Sequence, residues 1–382
     1  VLSQTRGFFN YLFNNKNING KFLLSEKKQI YEINSWKKEL ISKIVRSRLF
    51  DHLGIIQVLN GNRDDITKND LIFSFNRFVD SNSPYILYVE NPTALYHYSL
   101  LRGKSLLGKR KIKKLLESKN LYAVIFMSEA CEKTFSEVCG PLPGNIKKKT
   151  IYPLIKDNSF FSLASLSKKS KEKKLRLLFI AQGKRFISKG GLELIELMKR
   201  LEYFDISLSI VTNSNLLNPE ILNRIVTSKN VELIEFNLDN KSLEKLYFNH
   251  HILVHPTSDD SFGIVILEAM KAGLPIISTD LYAIKELVQN EVNGFLTKPK
   301  FYFFSPDDLP NESVWNNRNQ TINNSDILDK KLIDFLELKI LFFYRNRDVL
   351  EKMSLNSYNI SKGNKFSEES IINDWNELIR HE

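Results

Sequence analysis

Asp260 and Glu268 stand with seven residues between them in the stretch Ser258-Asp259-Asp260-Ser261-Phe262-Gly263-Ile264-Val265-Ile266-Leu267-Glu268-Ala269-Met270-Lys271-Ala272-Gly273-Leu274-Pro275. Gly263 lets backbone come close to a ligand with no Cβ in the way. Asp260 and Ser261 are suited to cap a helix that begins near Gly263. The free N–H groups at such a helix start form an anion site, and Glu268 faces the same space from within the helix. Beyond Gly273 the helix stops, and residues 275–278 read as a buried strand. A cationic cluster lies upstream, where the apolar run 175–181 leads into Gln182-Gly183-Lys184-Arg185-Phe186-Ile187-Ser188-Lys189-Gly190-Gly191. The plainer alternatives are a capped helix with two incidental acids and a solvated basic loop.

The acid pair resembles the nucleotide-sugar motif of retaining glycosyltransferases of the GT-B fold, glycosyltransferase family 4. That pattern is Glu, seven residues, Glu, with Phe-Gly after the first acid and Ala-Met after the second. Phe262-Gly263, Ala269-Met270 and Gly273-Leu274-Pro275 match it, whereas the first acid here is the shorter Asp260. The resemblance covers residues 175–298 well and 70–155 weakly. It implies an α/β chain of GT-B type, two Rossmann-like domains facing a central cleft. The implied reaction moves a sugar from a nucleotide diphosphate donor to an acceptor hydroxyl, with retention at the anomeric carbon.

In that family a Gly-Arg and a following Lys-Gly hold the donor diphosphate. Matched residue by residue, Gly183 and Lys184 take the first place and Lys189 the second, with Arg185 adjacent. Cations suit the role because the leaving nucleoside diphosphate gains charge as the glycosidic bond breaks. Lys for Arg loses the bidentate fork. Glu268 would bind the donor ribose hydroxyls. Asp260 would sit by the sugar beside Phe262, with Gly263 and Ile264 offering backbone N–H groups. Phe236-Asn237-Leu238 follows a strand where relatives seat the nucleobase. His255 fills a strand-end slot and reads as a core or rim histidine. No Asp-x-Asp occurs in the sequence, and no metal and no cofactor is expected beyond the nucleotide sugar as co-substrate.

The elements that must position these residues alternate. After the run at 175–181, the second half reads as helix 191–201, strand 206–211, helix 219–226 with Pro at its start, strand 231–236, helix 241–248 and strand 252–255. The acid-pair helix, strands 275–278 and 294–296, and helices 331–344 and 348–358 follow. Residues 299–328, rich in Asn, Asp and Pro, look like an inserted loop. Ile371, Ile372, Trp375, Leu378 and Ile379 line one face of a last helix. An open sheet of this kind binds ligands beyond its strand C-termini. The glycines at 183, 190, 191, 263, 273 and 294 fall beside strand ends of this half.

The first half has short apolar runs at 21–24, 54–59, 71–75, 85–89 and 123–127, with helical stretches at 35–50 and 105–118. This is the alternation of a parallel sheet covered by helices. Ser128 reads as a strand-to-helix cap. The family usually opens with a strand and a Gly-rich loop, and no such loop is found here. The domains expected are an acceptor-binding one at 1–155, a Ser- and Lys-rich linker at 156–174, a nucleotide-sugar-binding one at 175–358, and a helix in 359–382 that returns to the first. In the strand 85–89, which resembles one that ends in His near the reacting sugar, Glu90 stands at that position. A carboxylate there suits contact with acceptor hydroxyls or proton acceptance; the alternative is a strand-end acid bound to backbone. His97 is a weaker candidate.

The 382 residues are enough for two domains, and 42% hydrophobic residues suffice for real cores. No run of 18 apolar residues suggests a membrane span. The chain starts at Val1 without a secretory pattern and without Met, as a fragment would. Cys131 and Cys139 form neither a disulfide framework nor a metal pattern, which points to a reducing, cytoplasmic setting. The net charge of +11 suggests an anionic partner. Nucleotide sugar and a glycan or lipid-linked acceptor are the partners expected, without nucleic acid. The basic stretch 103–116 reads as a core-facing helix with solvated lysines, or as a docking site for an anionic membrane. Two further readings stand beside the transferase: a nucleotide-sugar epimerase or sugar phosphorylase of the same fold, and a basic nucleic-acid-binding or scaffold protein with a decayed site.

Overall fold

A computed structural model describes residues 7–20, 22, 48–62, 66–67 and 70–380. Most of the expected strand 21–24 and of the expected helix 35–50 lies outside them. The chain divides into two units, Val1–Leu154 with Glu369–Glu382, and Ile155–Glu368.

The first unit has strands β1 (Val58–Asn60), β2 (Ile72–Phe75), β3 (Phe78–Asp80), β4 (Tyr85–Val89), β5 (Leu121–Phe126) and β6 (Lys147–Thr150). A four-stranded parallel sheet runs in the order β2-β4-β5-β6, and β1 pairs with β3. All five residues of β4 are buried, as a central strand covered on both faces requires. β6 escaped the sequence reading because this edge strand is three lysines and a threonine, with Lys147 and Lys148 exposed, and carries no apolar signal. Ser128 caps the helix Glu129–Cys139 by accepting from the Cys131 amide. The helix Glu368–Ile379 buries Ile371, Ile372, Trp375 and Leu378, and Trp375 stacks on Tyr88.

The second unit holds β7 (Leu175–Ile180), β8 (Ile206–Thr212), β9 (Val231–Glu235), β10 (Ile252–His255), β11 (Ile276–Thr279) and β12 (Gly294–Thr297). They form one parallel sheet in the order β12-β11-β10-β7-β8-β9. The strand order reverses between β7 and β10, so the connections leaving those two strands part and open a crevice at their C-terminal ends. The core packs Leu177, Phe179, Leu208, Ile210 and Val254 of the sheet against Leu194, Leu197 and Met198 of the helix Gly191–Arg200.

Several segments differ from the sequence reading. Residues 163–170 of the expected linker are a helix with a Ser162–Ser165 capping box, and its Leu166 is buried. The units divide at Leu154 and Glu369, where the expectation placed boundaries at 155 and 358; the helix Arg347–Lys362 runs through the latter. Residues 299–328 are more than a loop. They include the helix Glu312–Trp315 and an aromatic cluster in which Phe303 stacks on Trp315 and Phe304 on Tyr282. Among the described residues, no helix is long and apolar enough to cross a membrane.

Candidate functional site

The connection after β7 carries Gly183–Arg185 as one 3-10 turn and then reaches Lys189. Gly190 follows in the left-handed region, φ +84°, and a Cβ there would lie 2.5 Å from the Pro256 carbonyl oxygen. Only glycine fits so close an approach. The connections after β7 and β10 thus touch, and the Ser258 amide donates to the Ser188 carbonyl at 2.8 Å.

Lys189 is 7% exposed. Its ammonium donates to the Asp259 carbonyl at 2.5 Å and to Asp260 Oδ2 at 2.6 Å. His255 Nε2 meets the same Oδ2 at 2.9 Å. The other oxygen, Oδ1, accepts from the Phe262 and Gly263 amides at 3.3 and 3.1 Å. Burial alone would raise the Asp260 pKa, but the Lys189 ammonium and the His255 hydrogen bond hold the carboxyl well below its usual range. Arg185 forms an ion pair with the Asp259 carboxylate at 3.1 Å. Lys184, matched by sequence to the family's Arg position, is exposed.

Asp260 does not cap the next helix in the expected way. Gly263 is its N-cap, at φ +87° and without a side-chain cap bond. Asp260 instead braces the turn two residues before the helix Ile264–Lys271. The first amides of that helix have no intrahelical acceptor and present partial positive charge at its start. Phe262 is buried and Ile264 half-buried.

Glu268 projects from the second turn of this helix. Tyr247, from the helix Asn240–Asn249, donates its hydroxyl to Glu268 Oε2 at 2.7 Å. Burial pushes the Glu268 pKa up to about 7, against the opposing Tyr247 hydrogen bond. The Tyr247 hydroxyl, buried beside that carboxyl, is pushed well above the ordinary phenol range. Phe236 follows β9 half-buried, and its amide donates to the Thr212 carbonyl at 3.1 Å.

The second unit therefore brings together Lys189, Asp260 and, through Asp259, Arg185. Three residues in or beside this set and Glu268 were absent from the sequence-based site. His255 is a buried core histidine as read, yet it also grips Asp260. Asp259 was passed over beside its neighbour. Tyr247 gave no signal, because its link to Glu268 depends on two helices meeting.

Glu90 belongs to the first unit and is buried at the end of β4. Its amide donates to Asn76 Oδ1 at 2.9 Å, and its carboxylate faces Asn76 Nδ2 at 3.5 Å. His97 serves the fold: its Nε2 accepts from the Gln57 amide at 2.9 Å. Burial, with Arg77 and Arg102 nearby, lowers its pKa to about 3. In the basic helix Leu106–Leu116, Ile112 and Leu116 are buried while Lys109, Arg110, Lys111, Lys113 and Lys114 are exposed. Leu106 and Leu107 at its start are exposed as well.

Residues 164–302 match the family described as glycosyl transferases group 1. An uncharacterized glycosyltransferase of Methanocaldococcus jannaschii is 32% identical over 111 residues, which is 27% of this chain and 27% of that one. The chain thus spans about a quarter of that curated relative. Among solved structures, HepE of Anabaena in complex with UDP-glucose aligns with TM-score 0.54 at 17% identity, over 81% of this chain and 77% of that one. The pneumococcal O-GlcNAc transferase GtfA with UDP and GlcNAc aligns with TM-score 0.54 at 16% identity, over 82% and 57%. The fold is GT-B, with two Rossmann-like α/β units.

Proposed function

We propose that the protein is a retaining glycosyltransferase that moves a sugar from a nucleoside diphosphate donor to an acceptor hydroxyl. The observation that carries this reading is the Lys189 cluster, where the connections after β7 and β10 join above a helix start. When the glycosidic bond breaks, its electron pair stays with the diphosphate oxygen, which gains negative charge. Fixed donors aimed at that oxygen lower the barrier because they need no reorganisation. Lys189 supplies an ammionium with one N–H beyond those given to Asp259 and Asp260, while Arg185 and Lys184 add charge at the rim. The Gly263 amide is taken by Asp260 Oδ1, so the Gly183 turn and the Ile264 amide complete an anion cradle. Glu268 accepts from the ribose hydroxyls, with the nucleobase beside Phe236. In the first unit, Glu90 is the group proposed to meet an acceptor hydroxyl. No metal is required in this scheme.

The setting proposed is bacterial polysaccharide or glycolipid synthesis on the cytoplasmic side, with a glycan or lipid-linked acceptor. Exposed Leu106 and Leu107, beside the cations at 109–111 and 113–114, support peripheral contact with an anionic membrane. The test of the reading is release of nucleoside diphosphate from a panel of nucleotide sugars, with and without acceptor mixtures. Sugar appearing on an acceptor supports it. Epimerised donor with no acceptor product would replace it with an isomerase.

A further inference from the structure

We infer that His255 is a positioning residue for the Lys189 ammonium, acting through Asp260; the inference deepens the transferase reading and rests on it for its kinetic consequence.

An ionised carboxylate has about four acceptor positions, and Asp260 fills them from within the protein. Oδ1 takes two backbone amides, and Oδ2 takes Lys189 and His255. Asp260 therefore has no lone pair left for a substrate hydroxyl while this set holds. Its part is to orient Lys189, not to touch the sugar. Oδ1 fixes one edge of the carboxyl to the backbone, and His255 fixes the other edge in the direction of Lys189.

His255 is built to do this and little else. It is 1% exposed at the end of β10. Its carbonyl is pinned by the Ser278 hydroxyl at 2.7 Å. Because both Asp260 oxygens are acceptors, Nε2 carries the hydrogen. Nδ1 is then a bare nitrogen, and it is buried without a hydrogen-bond partner. A merely packed side chain at this position needs neither nitrogen. A buried nitrogen left unpaired costs free energy, and the Asp260 bond is what the imidazole provides in return.

His255→Leu removes the donor and keeps apolar volume. His255→Gln places an amide N–H near the position of Nε2. Circular dichroism first establishes that both variants fold. With the donor that the panel identifies, the Leu variant should lose roughly ten- to a hundredfold in kcat, by analogy with the loss when a group that orients a metal-ligating side chain is removed. Its KM for the donor should change much less, and the Gln variant should recover most of the loss. A second readout does not need turnover: acylation of Lys189 by acetic anhydride, measured by mass spectrometry against exposed Lys184. Labelling of Lys189 should rise several-fold in the Leu variant and return in the Gln variant. Unchanged labelling in a folded Leu variant overturns the inference, as does a Gln variant as impaired as Leu. If the parent turns over no donor, the transferase reading falls while the labelling result still decides the role of His255.

Discussion

At the scale of single residues, Glu268 makes the sharpest pH prediction. Its folded pKa is raised to about 7 from an ordinary value near 4.5. The folded state therefore binds the extra proton between those values. The stability that this group contributes is fully present below about pH 4.5 and is lost as pH rises through about 7. Unfolding midpoints at pH 5 and pH 8 should differ less in Glu268→Gln than in the parent. Ligand binding runs the other way, because ribose hydroxyls donate to the ionised form. Nucleoside diphosphate should bind more tightly as pH rises through 7, with proton release seen by calorimetry in two buffers. Glu268→Gln should weaken binding by about tenfold or more, the loss of one hydrogen bond to a charged group, and flatten the pH dependence. Tyr247→Phe removes the hydroxyl that favours the carboxylate and should move the whole profile to higher pH. Lys189 differs from both, since it meets a charge that grows only as the bond breaks. Lys189→Ala should cost on the order of 10²–10³ in kcat with a smaller effect on binding.

At the scale of elements, the insertion between β12 and the helix Lys330–Arg345 is fastened to the site-bearing part of the sheet. Glu193, fully buried in the helix after Gly190-Gly191, pairs with Lys300 at 3.0 Å and accepts from the Asp329 amide at 3.4 Å. One carboxylate thus holds both ends of the inserted segment. Breaking a buried pair from one side leaves a charge uncompensated, at a cost of about 3–5 kcal/mol. Lys300→Met should destabilise by that order in urea unfolding, and adding Glu193→Leu should restore much of it. A double variant as unstable as the single one would show that the clasp is not electrostatic. This element was only half legible in the sequence. Its Asn, Asp and Pro content marked an interruption, but the stacking of Phe303 on Trp315 and of Phe304 on Tyr282 joins residues with no common period. The strands of the second unit were legible because each is an apolar run bounded by turn residues. β6 was not, because an edge strand of lysines carries no such signal. For the same reason the acid spacing and Lys189 could be read from the chain, whereas His255 and Tyr247 act through contacts that exist only after folding.

At the scale of the whole molecule, the second unit is one continuous stretch, residues 155–368. A protein truncated to that stretch should bind nucleoside diphosphate if it folds. Starting at residue 170 would delete all but the last residue of the helix Leu163–Ser170, including its buried Leu166, and should reduce its stability. The first unit carries the membrane proposal: replacing Lys109, Arg110, Lys111, Lys113 and Lys114 by Gln should abolish sedimentation with anionic vesicles, each basic residue contributing about 1 kcal/mol near such a surface. Equal sedimentation of that variant would remove the idea. The central claim is that the Lys189 cluster acts on the leaving diphosphate of a nucleotide sugar. The most direct measurement is the single-turnover rate of sugar transfer from the cognate donor by the parent and by Lys189→Ala, both saturated with donor. The account predicts transfer by the parent and a rate on the order of 10²–10³ lower in the variant. Equal rates at saturation would contradict it.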